Sequence, residues 1–312
     1  MASDCTAHYN TAFSLQSALW RFLVILYLKL LLAAFFWGGT FVAGRIGAAH
    51  AGPFALAFLR FTLATAILVW HIRRREGALP RVSGSRNILF VLLLGATGIF
   101  AYNALFFTAL QTIPAGRAAV VVANNPIVIA LGAALFLGEP LTRRKCIGIA
   151  ISVCGALVAV TRGDPVSFLQ GGVSWGDVAL VGCLASWAAY SLLGKKAMSS
   201  LSPLAAVTWS CASGACMLLP FALHEGMLDA ITTYTPDVWA SIFYLGMFGT
   251  ALGFTWFYEG VDRIGAAKAG VFINFVPITA ILSGWLFLGE PLSPSLILGA
   301  ALVLTGVYTA NR

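Results

Sequence analysis

Residues 135–141 and 286–292 carry the same seven letters, LFLGEPL, 151 positions apart. The match extends well beyond the heptapeptide. Gly95, Gly98, Ala115, Ala118, Pro126, Gly148 and Gly155 recur at that spacing as Gly246, Gly249, Ala266, Ala269, Pro277, Gly299 and Gly306. Nearer the start, Trp37, Gly44 and Pro53 recur 150 positions later as Trp187, Gly194 and Pro203. A chain whose first half returns as its second is built from two copies of one unit. The copies are not decorated alike: Arg143, Arg144 and Lys145 follow the first heptapeptide, and Ser293, Pro294 and Ser295 the second.

The unit is membrane-embedded. Only 10% of residues are charged and 60% are hydrophobic, whereas soluble domains carry about 25% charge. Hydrocarbon solvent accommodates that composition, because apolar side chains need no burial away from it. A spanning helix needs about 20 apolar residues. Such windows occur at 28–47, 53–72, 87–109, 115–137, 144–161, 174–194, 203–223, 238–259, 266–288 and 293–311. They predict an all-α integral membrane protein with ten transmembrane helices. Residues 1–27 are interrupted by Arg21 and read as a leader, either an interfacial helix or flexible chain. Arg21, the first basic residue, comes too late for a signal-peptide n-region, which predicts an uncleaved first span.

Charge placement predicts orientation. With a cytoplasmic N-terminus, inward-facing segments hold fifteen Lys and Arg residues. Outward-facing ones hold three, Arg45, Arg117 and Arg162. That asymmetry predicts a multi-pass protein of the plasma or inner membrane with both termini cytoplasmic. The net charge of +8 is therefore read as a topology signal and an attraction to anionic lipid, not as a nucleic-acid surface. Each repeat, 28–161 and 174–311, contains five spans. Five is odd, so the second copy enters the bilayer from the opposite side. Two inverted five-helix repeats are a recurrent plan for secondary transporters.

The duplicated five-helix unit, the LFLGEPL at the end of its fourth helix and the segment FWGGTFVAGR (36–45) resemble the EamA-type branch of the drug/metabolite transporter superfamily. That resemblance covers nearly all of the chain after residue 30. It implies ten helices, cytoplasmic termini, export of small metabolites and a central cavity surrounded by helices 1, 3, 4, 6, 8 and 9.

Candidate site residues come from polar and aromatic positions inside spans. Arg60 lies seven residues into the second span, about 10 Å along the helix. A guanidinium at that depth must face the bundle or water, where it can hold a substrate carboxylate bidentately or clamp backbone carbonyls. Its repeat counterpart is Ser210. Trp37, Tyr102, Asn103, Asn124 and Asn125 in the first half, and Trp187, Tyr190, Trp256 and Asn274 in the second, complete the substrate-binding candidates. Pro126 and Pro277 each remove an N–H inside a span, and broken helices expose backbone dipoles to a ligand. Glu259 is a coupling candidate, set against an ion pair with Arg263 one turn on. Glu139 and Glu290 follow a helix-ending glycine and read first as caps of orphan N–H groups; Glu139 also has Arg143 nearby, while Glu290 has no basic neighbour in sequence.

Other chemistries lack their signatures. The six cysteines show no metal spacing and read as small apolar fillers, so no metal or cofactor is expected. The sequence GVSWG at 172–176 matches G-x-S-x-G, but no strand precedes it, and Ser174 reads as a helix N-cap. The expected function is a secondary transporter exporting small metabolites, amino acids or related compounds, by alternating access. The alternatives are a channel-like facilitator and, from a different class, an intramembrane lipid-modifying enzyme. Expected partners are a small-molecule substrate and the bilayer. Proton coupling and facilitated diffusion both stay open, and oligomeric state is not specified by the sequence.

Overall fold

The computed structural model describes residues 2–138, 140–164, 174–264 and 269–310; the side chains of 2–23, 75–76, 137 and 261–262 are outside that description. Glu139 and Ala266 therefore lie outside the described residues. Among these residues the chain is all helix and turn. Helices α1 (Ala2–Ala48), α2 (Pro53–Glu76) and α3 (Ser85–Leu110) lead into α4, which is formed of Ala115–Val122 and Asn125–Leu137. Then come α5 (Arg143–Val160), α6 (Trp175–Ala197) and α7 (Pro203–His224). Last are α8 (Pro236–Phe243, Tyr244–Leu252 and Gly253–Ile264), α9 (Val271–Phe275 and Val276–Leu288) and α10 (Pro294–Ala310). Eight of them, α1–α4 and α6–α9, contain stretches long and apolar enough to cross a membrane. In α1 that stretch is Val24–Ala48. The leader does not break off from it: the backbone from Ala2 onward is one continuous helix.

Helix ends follow local chemistry. Pro53, Pro203 and Pro236 occupy first turns, where a missing N–H costs nothing. Ser174 caps α6 as expected: its hydroxyl accepts from Asp177 N, and the Asp177 carboxylate accepts from Ser174 N. Gly138 and Gly289, the glycines of the two heptapeptides, both end their helices in the left-handed region, at φ 68° and 65°. The breaks expected at Pro126 and Pro277 are present. Helix α4 is interrupted at Ala123–Asn124, and α9 opens with a 3₁₀ segment just before Val276.

Repeat-related helices pack as partners. At the α5–α10 crossing, backbones meet through four glycines that recur in the sequence. A Cβ on Gly148 would lie 2.5 Å from Ala310 N, and one on Gly155 would lie 2.7 Å from Val303 N. Gly299 and Gly306 face Gly155 O and Gly148 O in return. Small residues permit this approach, and dispersion then holds the pair. Two further crossings exchange helices between the halves. Gly98 of α3 meets Tyr190 of α6, and Gly249 of α8 meets Thr40 of α1. Tyr190 and Thr40 are themselves 150 positions apart, so one contact is made twice.

Candidate functional site

The site grows from two π-helical turns, Gly95–Ala101 in α3 and Tyr244–Leu252 in α8. They contain the recurring pairs Gly95/Gly98 and Gly246/Gly249. A π-turn inserts one residue and misaligns the i→i−4 ladder, leaving carbonyls to accept from side chains. Asn103 Nδ2 donates to Gly98 O and Ile99 O at 3.2 and 3.0 Å. Thr250 Oγ1 donates to Leu245 O at 2.9 Å. Trp37 Nε1 reaches across from α1 to Gly249 O at 3.0 Å.

Those anchored groups hold Arg60. Its Nη1 donates to Asn103 Oδ1 at 2.9 Å and its Nε to Thr250 Oγ1 at 3.1 Å. The guanidinium carbon lies 4.9 Å from the Phe61 ring centre and 6.0 Å from that of Phe107, so ring faces supply part of its electrostatic surroundings. Arg60 is 7% exposed. Among the described residues no carboxylate forms an ion pair with it. Gly246 explains the close approach of α8, since a Cβ there would lie 3.0 Å from Arg60 O.

Aromatic rings cluster on the neighbouring helices. Tyr102 stacks on Phe106 and meets Trp187 at 5.2 Å; Trp187 meets Tyr190 at 5.2 Å. Trp37 packs on Phe254 and Phe257. Of the ten sequence candidates, Arg60, Asn103, Tyr102, Trp187, Tyr190 and Trp37 are thus brought together.

The other four make no hydrogen bond or ring contact with that group among the described residues. Trp256 packs against Phe36, in a cluster that continues to the exposed rings of Phe35 and Phe243. Asn124 is buried with its amide fully engaged: Nδ2 donates to Val120 O and Val121 O, and Oδ1 accepts from Ser152 Oγ at 2.6 Å. It ties α4 to α5. Asn124→Ala is expected to lower stability by about 1–2 kcal/mol, since the Ser152 hydroxyl loses its partner; a thermal-unfolding comparison checks this. Asn125 Oδ1 is buried without a hydrogen bond, and Asn274 is half-buried.

Charged groups at the helix ends found partners that sequence distance concealed. Glu259 pairs with Lys29, 230 positions away, at 2.8 Å. Both side chains are about a third exposed, so the pair contributes little. Glu290 does not cap the helix that follows it. Its carboxylate accepts from Ala115 N and Gly116 N, at 2.7 and 3.0 Å, at the start of α4. Arg45 Nε approaches it to 3.5 Å, while Arg45 Nη1 donates to Leu110 O and Ile113 O. One ion pair therefore joins α1, the α3–α4 turn and the α9–α10 turn. At the same end, Arg117 of α4 pairs with Asp177 of α6 at 2.6 Å. The residues that sequence reading missed are Thr250 and the Arg45–Glu290 link; the recurring glycine pairs marked where the π-turns would fall.

The EamA-like transporter family model matches twice, over residues 24–161 and 174–312. The chain belongs to the EamA-like transporter family. As an EamA-like protein it is a multi-pass membrane transporter of small molecules, not an enzyme. It is 29% identical to the uncharacterized transporter YyaM of Bacillus subtilis over 286 residues, covering 92% of this chain and 93% of that one. It is 29% identical to a probable terminal-alkyne amino-acid exporter of Streptantibioticus cattleyicolor, covering 91% and 92%. A probable amino-acid metabolite efflux pump of Escherichia coli is also 29% identical, covering 89% and 92%. A crystal structure superposes with a TM-score of 0.62 at 20% identity, covering 92% of this chain and 97% of the other; at that identity the likeness concerns the fold.

Proposed function

We propose that this EamA-like transporter is a secondary exporter of small metabolites bearing a carboxylate, amino acids or related compounds, and that it works by alternating access. The observation that carries this reading is Arg60, a buried guanidinium held by two neutral acceptors, with no carboxylate partner among the described residues. A desolvated cation without a counter-ion favours a ligand that supplies one, and a guanidinium fork matches a carboxylate bidentately. The surrounding rings of Trp37, Tyr102, Trp187 and Tyr190 suit the apolar part of such a cargo. The amino-acid exporter and efflux-pump names of two relatives agree with it.

In this reading residues 28–161 and 174–311 are inverted five-helix halves, with α5 and α10 also crossing the bilayer and both termini cytoplasmic. Two repeat-related seams differ in a way that supports exchange between states. At the α1–α9 seam, Thr279 Oγ1 donates to Ala34 O, and Gly38 has no room for a Cβ beside Thr279. The corresponding residues of the α4–α6 seam, Val128 and Ala188, line an apolar cleft of about 530 Å³. Closure of the first seam is secured at its end by Arg45 and Glu290.

Glu290→Gln keeps the side-chain shape but removes the charge, and is expected to loosen that end by about 1–2 kcal/mol. A cysteine placed at Ser283, in a background lacking the native cysteines, should then react about five to thirty times faster with an impermeant maleimide added outside. An unchanged rate would remove Glu290 from gating. The function itself is tested in proteoliposomes, with candidate amino acids first identified by which metabolites accumulate outside overexpressing cells. Saturable efflux with counterflow is expected. Linear flux without counterflow would replace the carrier with a channel-like facilitator.

A further inference from the structure

Outside the candidate site, one exposed stripe of α2 combines features that nothing above uses. Ala66, Val69, Trp70, Arg73 and Arg74 line an open notch of about 530 Å³. Their spacing of three, four, seven and eight residues places them on one helix face. Trp70 is 60% exposed, and the Arg74 guanidinium lies over its ring at 5.5 Å. The stripe is apolar for its first turn and cationic in its last. From Ala66 to Arg74 is about 12 Å along the axis, close to the ~15 Å depth of one leaflet's hydrocarbon. Among the described residues no ion pair involves Arg73 or Arg74.

We propose that this notch is a binding site for one anionic phospholipid. Its acyl chain lies along Ala66 and Val69 against the Trp70 ring, and its phosphodiester is held by Arg73 and Arg74. Adjacent guanidiniums offer forked donors that match phosphate oxygens, and the indole marks the depth where hydrocarbon gives way to headgroup. Charge complementarity selects the occupant. A second copy of this chain docked isologously on the stripe would set arginine against arginine, and a zwitterionic headgroup would bring a choline cation to the same place. The α2–α3 turn beside the site is held by Trp209 Nε1 donating to Pro80 O, and it adds Arg81 and Arg86 to the same end of the bundle.

The test uses the full chain in detergent, with native mass spectrometry counting retained lipid. Phosphatidylglycerol, phosphatidylcholine of the same acyl chains, and free glycerol phosphate are offered separately. At about a fivefold gain per arginine near a headgroup layer, two give roughly a thirtyfold preference for phosphatidylglycerol over phosphatidylcholine. The double variant Arg73→Gln/Arg74→Gln should lose that preference, and Trp70→Leu should weaken retention of the one bound lipid while keeping the preference. Arg143→Gln/Arg144→Gln, which removes the same charge outside the notch, should retain wild-type behaviour. Equal retention of the two lipids overturns the proposal. So does an equal loss in the Arg143/Arg144 variant, which would mean diffuse attraction to a basic surface. Binding of free glycerol phosphate as tight as that of phosphatidylglycerol would replace the lipid with a soluble phosphate. If the double variant does not fold, Arg73→Lys/Arg74→Lys keeps the charge but loses the fork, and should retain at least part of the preference.

Discussion

Arg60→Ala is expected to reduce export by about thirtyfold to a thousandfold while leaving the amount of protein in the membrane within twofold of wild type. The range corresponds to losing a desolvated charge partner, about 2–4 kcal/mol. The variant also frees Asn103 Oδ1 and Thr250 Oγ1 from their donor, but both side chains keep backbone bonds to the π-turn carbonyls. That retained anchoring is why abundance should survive. Arg60→Lys preserves the charge but not the fork, so it should bind cargo more weakly without restoring wild-type efflux. Efflux kinetics normalised to purified protein, with counterflow, decide the matter. If transport and abundance fall together in both variants, Arg60 holds the helices and not the cargo.

The largest effect on stability is expected at the α5–α10 crossing. In Gly155→Ala the new Cβ would lie 2.7 Å from Val303 N and from Leu302 Cβ, and 2.8 Å from Gly299 O. Two of those three neighbours are backbone atoms, which cannot rotate away, so one helix must move. Overpacking of this kind costs about 1–3 kcal/mol, and the melting temperature should fall by roughly 3–10 °C. Gly77→Ala provides the contrast. Gly77 has open space around it but φ 73°, so its cost is backbone strain of about 1 kcal/mol. A melting temperature unchanged by Gly155→Ala would mean that the seam is not close-packed.

Much of the helical framework was legible because each signal is local. The window expected at 53–72 is α2, Pro53–Glu76, opened by a proline and closed by Gly77. The window at 174–194 is α6, opened by the Ser174–Asp177 capping box. Pro126 and Pro277 announced the interruptions of α4 and α9, since a missing N–H breaks a ladder wherever the helix lies. The site was legible in part. Arg60 stood out because a charge inside an apolar window is costly unless something holds it. Its holders were less plain. Asn103 was named, but Thr250 was not, because a threonine in an apolar helix carries no signal until the α8 π-turn aims it. Trp37 and Trp256 looked equivalent in sequence, yet one bonds a carbonyl of the π-turn and the other packs toward exposed rings.

The sequence by itself determined that this protein is a duplicated bundle of apolar helices, where most helices begin and end, and that an arginine is buried among them. Those properties follow from side-chain chemistry within a few residues and from the repeat. Only the tertiary structure decided who meets whom: Glu290 with the start of α4 and Arg45, Glu259 with Lys29, Asn124 with Ser152, and Arg60 with Asn103 and Thr250. A partner 28 to 245 positions away, as in the pairs bonded here, is chosen by helix crossing and rotation. Those are set by the summed packing of many small residues, and no short stretch of sequence encodes that sum.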